Sequence, residues 1–247
     1  MSTDFPPHGT AFKPQHPFLT PIPTVFAQVQ RELIYAFDPL SEWCYAFRPE
    51  ITHVCSSFEH ALPLRIACGG LISGPRERPV REDVERIQFE MGEVLRRSGI
   101  GFGRAFVHNI LKEGTWVRRS EPVCRAVLIA QEMDRTHVLD FANRLCHASF
   151  WLGLRPDAPE TISKVATASG YDAQALLEQW NRPDASDRTF QAFADARAHR
   201  VETYPSVFLS EREEWRLICR GYVRAREAIR RIHAELERLT DGSTSVA

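Results

Sequence analysis

A strand–helix–strand passage between residues 33 and 70 narrows the fold more than any other feature of this chain. Leu33-Ile34-Tyr35-Ala36-Phe37 is a short apolar run closed by Asp38-Pro39, the pattern of a buried strand. Pro39 lacks the N–H needed to continue a sheet, and Ser41 then supplies a hydroxyl suited to cap a helix. From Trp43 to Phe58 the apolar residues Phe47, Ile51, Val54, Cys55 and Phe58 recur at helical spacing. Leu64-Arg65-Ile66-Ala67-Cys68 reads as a second strand ended by Gly69-Gly70. The crossover is long enough for parallel pairing, which lays the helix over the sheet.

The middle of the chain is helical. Val80, Val84, Ile87, Met91, Val94 and Leu95 form one stripe that ends near Gly99, and Ser120 precedes a helix opened by Glu121-Pro122. The spacing predicts further helices over Val138–Leu152, Pro159–Ser169, Ala173–Trp180 and Phe190–His199. Strand character returns at Ser206–Leu209 and again near Trp215–Cys219, close enough for a hairpin. A last helix carries Ala225, Ile229, Ile232, Leu236 and Leu239 on one face. The order predicts one α/β domain, residues 32–240, with a mixed sheet and a helical insertion over about 75–200. Residues 1–31, with six prolines between Pro6 and Pro23, are expected to form a proline-rich flexible arm, and 241–247 a flexible tail.

Composition removes several classes of function. The 247 residues carry 31 basic and 32 acidic side chains, a net charge of -1, so no global field draws nucleic acid or anionic lipid. No apolar stretch is long enough to cross a bilayer, and no signal-peptide pattern opens the chain. A cytoplasmic, reducing setting is the resulting expectation, with the six cysteines (44, 55, 68, 124, 146 and 219) free. Their irregular spacing, without a CxxC pair, offers neither a zinc site nor a disulfide framework. No permanently bound metal or cofactor is expected.

Chemistry concentrates at the junction after the first strand. Ser41 falls at a helix start and Cys44 about one turn inside, where unpaired backbone N–H groups favour a thiolate of the protein or of a ligand. Ser41 as a mere cap and Cys44 as a buried small hydrophobe is the plainer alternative. Cys55, Cys68, Cys124 and Cys219 fall on core faces and read as packing residues. Cys146 and His147, as neighbours on one helix, point apart and do not make a nucleophile pair. Arg104 and Arg125 could meet an anionic substrate or form solvated salt bridges.

Phe37-Asp38-Pro39-Leu40-Ser41-Glu42-Trp43-Cys44-Tyr45-Ala46-Phe47 resembles the active-site segment of DsbA-like thioredoxin-fold proteins, where D-P-x-C-x-W-C-Y-G-F recurs. Cys68-Gly69-Gly70-Leu71 is similar to that family's ending of the following strand. Ser98–Phe106 resembles its glycine-bearing connection, and Ser120–Ala126 its next helix start. Tyr204-Pro205-Ser206-Val207 stands where the family has a cis-proline loop, and Gly221-Tyr222 precedes the last helix. The likeness spans about Leu33 to Leu239. It implies a site between Ser41–Cys44 and Tyr204–Pro205, with Trp43, Thr203, Tyr204 and Pro205 meeting an extended peptide or glutathione. Tyr204 would either close over a ligand or pack against the insertion.

The family's first, nucleophilic cysteine is Ser41 here, while its second is kept as Cys44. A hydroxyl cannot attack a disulfide as a thiolate does, and no disulfide can form between these two positions. The leading expectation is a thiol-disulfide oxidoreductase relative with a monothiol S-x-x-C site, although the Glu42 charge opposes a Cys44 thiolate. The alternative draws on kappa-class glutathione transferases and 2-hydroxychromene-2-carboxylate isomerases, which read D-x-x-S-P-Y-S at this place. In that reading Ser41 donates a hydrogen bond to the thiolate of glutathione as cosubstrate. A third reading is a non-catalytic peptide binder. Partners under these readings are glutathione or a thiol-bearing protein or small molecule, and a homodimer is left open.

Overall fold

The computed structural model describes residues 31–243, so the expected arm over 1–30 and residues 244–247 lie outside the described residues. Four strands form one sheet in the order β2-β1-β3-β4, where β1 is Arg31–Phe37, β2 Leu64–Cys68, β3 Ser206–Glu211 and β4 Glu214–Arg220. β1 pairs with β2 in parallel and with β3 antiparallel, and β3 and β4 form an antiparallel hairpin. The parallel pair is joined by α1, Glu42–Ser57.

β1 is buried on both faces, and its two sets of alternating side chains enter different cores. Leu33, Tyr35 and Phe37 face the main core, where the Tyr35 ring lies 5.3 Å from Phe37 and 5.9 Å from Phe47 of α1. Ile34 and Ala36 face a smaller core with Phe208, Val201 and Ala196. This strict alternation is the period-2 geometry of a strand covered on both sides. Each of the Leu, Ile, Val and Phe side chains among them contributes about 1.5–3 kcal/mol by leaving water.

Between β2 and β3 lie the helices α2 (Val84–Ser98), α3 (Arg104–Phe106), α4 (Ser120–Met133), α5 (Val138–Phe150), α6 (Pro159–Ala168), α7 (Ala173–Trp180) and α8 (Ala185–Ala198). α3 runs directly into a π-helical turn, Val107–Leu111. The last helix, α9, spans Ala225–Ser243 and so enters the segment read as a tail. α2 closes on Gly99 in the left-handed conformation, φ 78°, as the sequence suggested.

Other boundaries differ for local reasons. Val80 belongs to a 3-10 turn, Val80–Glu82, because its N–H is held by the Trp116 carbonyl next to an isolated Pro79–Val117 bridge. Ser120 is not the cap of α4. Arg119 occupies that position, and the Ser120 hydroxyl instead accepts the Ile72 N–H at 2.9 Å. α8 begins at Ala185, ahead of the stripe recognised from Phe190.

Candidate active site

The turn after β1 is organised by Asp38, a fully buried carboxylate. Its Oδ1 accepts the Leu40 N–H at 2.9 Å and its carbonyl accepts the Ser41 N–H at 3.1 Å, an Asx-type turn that aims the chain into α1. Its Oδ2 accepts the Leu71 N–H at 2.8 Å, tying the ends of β1 and β2 together. Burial raises the Asp38 pKa, although Ser120, the two backbone N–H groups and Arg118 all work to lower it. Sequence reasoning took Asp38-Pro39 as a strand stop and missed this second role.

Ser41 is the N-cap of α1: its Oγ accepts the Cys44 N–H at 3.2 Å, and the residue is only 2% exposed. Cys44 lies one turn in, completely buried. Burial pushes its thiol up to about 12, although the nearby Asp38 backbone and the Ser41 and Tyr35 hydroxyls favour the thiolate. The Tyr35 hydroxyl beside it has no hydrogen-bond partner of normal geometry.

Glu42 does not place an uncompensated charge beside Cys44, contrary to the sequence reading. It is 3% exposed, and its Oε1 lies 3.2 Å from Arg118 and 3.8 Å from Arg86. The Arg118 guanidinium also donates to the Leu40 carbonyl, while its Nη1 is buried without a partner. Arg118 carries no local sequence signal, since it meets Glu42 only through the fold.

Trp43 is engaged elsewhere. Its indole N–H donates to Glu90 of α2 at 2.6 Å, Arg97 lies over its ring at 5.1 Å, and Tyr222 packs at 6.3 Å. These contacts join α1 to the insertion and to the loop before α9.

The opposite wall is placed by sheet register. Ala36 pairs with Ser206, so Thr203, Tyr204 and Pro205 flank the end of β1. The Tyr204–Pro205 peptide bond is cis. The Thr203 carbonyl, expected to meet a ligand, accepts the Ser206 hydroxyl at 2.8 Å. Tyr204 lies over Gly69, where a β-carbon would fall 1.5 Å from the tyrosine hydroxyl; only glycine admits the ring there. Burial raises the Tyr204 pKa well above the ordinary phenol value, with further contributions from Asp38, Cys124, Cys68 and Cys44. The structure therefore joins Ser41 and Cys44 in the cap of α1, sets Tyr204 against Gly69 at the end of β2, and keeps Trp43 on the side of α2.

The remaining candidates separate in the same way. The Cys146 thiol points to the Pro39 carbonyl at 3.5 Å, while His147 stacks on Trp151. Arg125 forms a two-point pair with Glu121, at 2.8 and 2.7 Å. Among the described residues no group of three or more His, Cys, Asp or Glu side chains is placed to hold a metal, and no helix is long and apolar enough to cross a membrane.

A mixed sheet in which a helix N-terminus after β1 meets a cis-proline loop before β3 defines a thioredoxin-type fold. Within that class, the helical block between β2 and β3 is the DsbA-like elaboration, and the chain has the DsbA-like thioredoxin fold. A protein of Nitrosomonas europaea assigned as a protein disulfide isomerase superposes with a TM-score of 0.74 at 21% identity, over 85% of this chain and 98% of that one. The cytosolic disulfide reductase DsbM from Pseudomonas aeruginosa gives 0.70 at 19% identity over 83% and 98%, and a structure of it with glutathione gives 0.69. A 2-hydroxychromene-2-carboxylate isomerase gives 0.56 at 16% identity over 87% and 98%. No family model matches the sequence. No curated protein matches it either.

Proposed function

We propose that this protein binds reduced glutathione with the ligand's sulfur at the Ser41 hydroxyl, and uses it as the cosubstrate of a glutathione-dependent transferase or isomerase. The contrast between Ser41 and Cys44 carries this reading. Ser41 Oγ accepts from the Cys44 backbone, and its proton, which would favour a Cys44 thiolate, is open to a ligand's sulfur because the fully buried Cys44 thiol is pushed up to about 12. A thiol in that state is a poor nucleophile near neutral pH. A hydroxyl at a helix N-terminus is a good donor to a bound thiolate, and a hydrogen bond to a charged acceptor contributes about 1.5–3 kcal/mol. Ser41 is 2% exposed, so neighbouring side chains must move to admit the sulfur. The solved structure of DsbM with glutathione and the isomerase fold both support this reading. The cytosolic setting of DsbM supports a cytoplasmic, glutathione-rich location.

A second reading keeps Cys44 as a monothiol that forms mixed disulfides, supported by the Asp38 backbone and the Ser41 and Tyr35 hydroxyls, which favour its thiolate. Calorimetric titration of reduced glutathione into wild type, Ser41→Ala and Cys44→Ala separates the two. The Ser41 reading predicts binding weakened about tenfold or more by Ser41→Ala and little changed by Cys44→Ala. A glutathione adduct on Cys44 after incubation with oxidised glutathione, which loses one reduced glutathione as leaving thiol, together with binding indifferent to Ser41→Ala, supports the monothiol. No binding and no adduct would leave the scaffold as a peptide binder.

A further inference from the structure

Ser41 is flanked on both sides by groups that one buried arginine holds. Arg118 donates from Nη2 to the carbonyl of Leu40, the residue before Ser41, and the same nitrogen lies 3.2 Å from Oε1 of Glu42, the residue after it. Both side chains of the ion pair are nearly sealed from solvent, at 5% and 4% exposure. Nη1 of the guanidinium is buried without a partner.

The backbone that carries Arg118 is pinned independently of this contact. Its N–H donates to the Arg78 carbonyl at 3.3 Å, the Val80 N–H donates to the Trp116 carbonyl at 2.9 Å, and Pro79 and Val117 form an isolated bridge. Two residues on, the Ser120 N–H donates to the Ile72 carbonyl at 2.9 Å. Along such an extended stretch successive side chains point to opposite sides. Trp116, Arg118 and Ser120 are accordingly buried, while Val117 and Arg119 are exposed. The guanidinium is thus delivered to the head of α1 by local strand geometry.

Charge decides what this contact does for Ser41. Glu42 is the first residue of α1, where its carboxylate opposes any anion held at the helix start. Arg86 of α2 also reaches Glu42, at 3.8 Å, but it is 43% exposed and closer to Asp83, at 2.9 Å, so its effect is screened and shared. The other titratable groups that act on this turn are Asp38 and Cys44, Tyr35 of β1, Cys146 of α5 and Tyr204. None of these five carries a positive charge, so the buried cation of the turn is Arg118.

We propose that Arg118 is a positioning residue of the Ser41 site: it fixes the Leu40–Ser41–Glu42 turn and cancels the Glu42 charge, so that Ser41 can hold an anionic sulfur at the head of α1. This rests on the reading of Ser41 as donor to the sulfur of glutathione, and it adds the charge control that a lone hydroxyl lacks. Removing either partner tips the balance in a defined direction. Without Arg118 the Glu42 carboxylate opposes the thiolate; without the Glu42 charge, Arg118 attracts it.

The test is the titration of the thiol of bound reduced glutathione, followed by thiolate absorbance on the full chain. Relative to wild type, the bound thiol should titrate about one unit lower in Glu42→Gln and about one unit higher in Arg118→Met, returning close to the wild-type value when the two are combined. A residue that only supports the fold would not move the titration in opposite directions. If Arg118→Met does not fold, Glu42→Gln decides: a lowered value supports the assignment, and an unchanged or raised value overturns it. A titration depressed in wild type, restored by Ser41→Ala and unmoved by either charge variant overturns the role of Arg118 alone. A wild-type protein that does not depress the thiol overturns the Ser41 reading, and the assignment to Arg118 with it.

Discussion

Tyr204 occupies the space that a side chain on Gly69 would need: a β-carbon there would fall 1.5 Å from the tyrosine hydroxyl. This packing joins the end of β2 to the loop before β3. It explains how a glycine at the end of β2 and a tyrosine far along the chain act as one element of the site.

Gly69→Ala should therefore displace Tyr204. Forcing a methyl group into a filled site costs about 1–3 kcal/mol, and at about 2–4 °C per kcal/mol for a chain of this size the midpoint should fall by roughly 2–12 °C. Native-state alkylation of the cysteines around Asp38 should also speed up. Differential scanning calorimetry and timed N-ethylmaleimide labelling read the two effects. An unchanged midpoint with unchanged labelling would show that Tyr204 does not pack here.

Cys44 should be nearly inert. With its thiol at about 12, the thiolate fraction at pH 8 is roughly three orders of magnitude below that of an ordinary cysteine. Iodoacetamide labelling of the folded protein, mapped by mass spectrometry, should leave Cys44 unmodified until the pH approaches that value. Rapid labelling of Cys44 at pH 7 would instead identify an exposed, activated thiol.

The Glu42–Arg118 pair is buried on both sides, at 4% and 5% side-chain exposure, so removing one partner strands the other. Arg118→Met should destabilise the fold by about 3–5 kcal/mol, moderated by Arg86, and adding Glu42→Leu should recover part of that loss. A double-mutant cycle by urea unfolding measures the coupling. Additive losses would show that the two side chains do not depend on each other.

Glu50 anchors the start of α9. Its Oε2 accepts the Ala225 N–H at 2.7 Å, and its Oε1 meets Tyr222 and Arg224, each at 3.0 Å. Burial raises its pKa, but these partners outweigh it and the net shift is downward. A depressed carboxyl stabilises the fold above its unfolded pKa, and that contribution is lost as pH falls through the folded value. Glu50→Gln should thus cost about 1–2 kcal/mol at pH 7, with the gap to wild type closing in acid. A gap independent of pH would remove the charge from the explanation.

The local elements were legible where the pattern is local. The run Leu33–Phe37 between polar neighbours marks β1, and Ser41 after Asp38-Pro39 marks the cap of α1. What sequence could not show was contact at a distance. Glu42 reads as a charge against a thiolate until Arg118, 76 residues on, neutralises it. Cys68 and Cys124 each sit on an ordinary apolar face, and only the docking of α4 on β2 brings the Cys68 thiol to 4.0 Å from the Cys124 carbonyl. Ser120 looks like a cap because serine favours caps, yet the Ile72 N–H claims its hydroxyl. Trp43 falls inside the motif, but Glu90 of α2 holds its indole away from the cis-proline loop.

The proposed role of Ser41 toward a ligand's sulfur is open to a direct spectroscopic test. Absorbance at 240 nm, recorded while glutathione is bound and the pH is raised, reports the thiolate directly. The account predicts a bound thiol titrating about one to two units below free glutathione in wild type, with that depression lost in Ser41→Ala and kept in Cys44→Ala. A bound thiol that titrates like free glutathione, or a depression that disappears with Cys44 instead of Ser41, would contradict it.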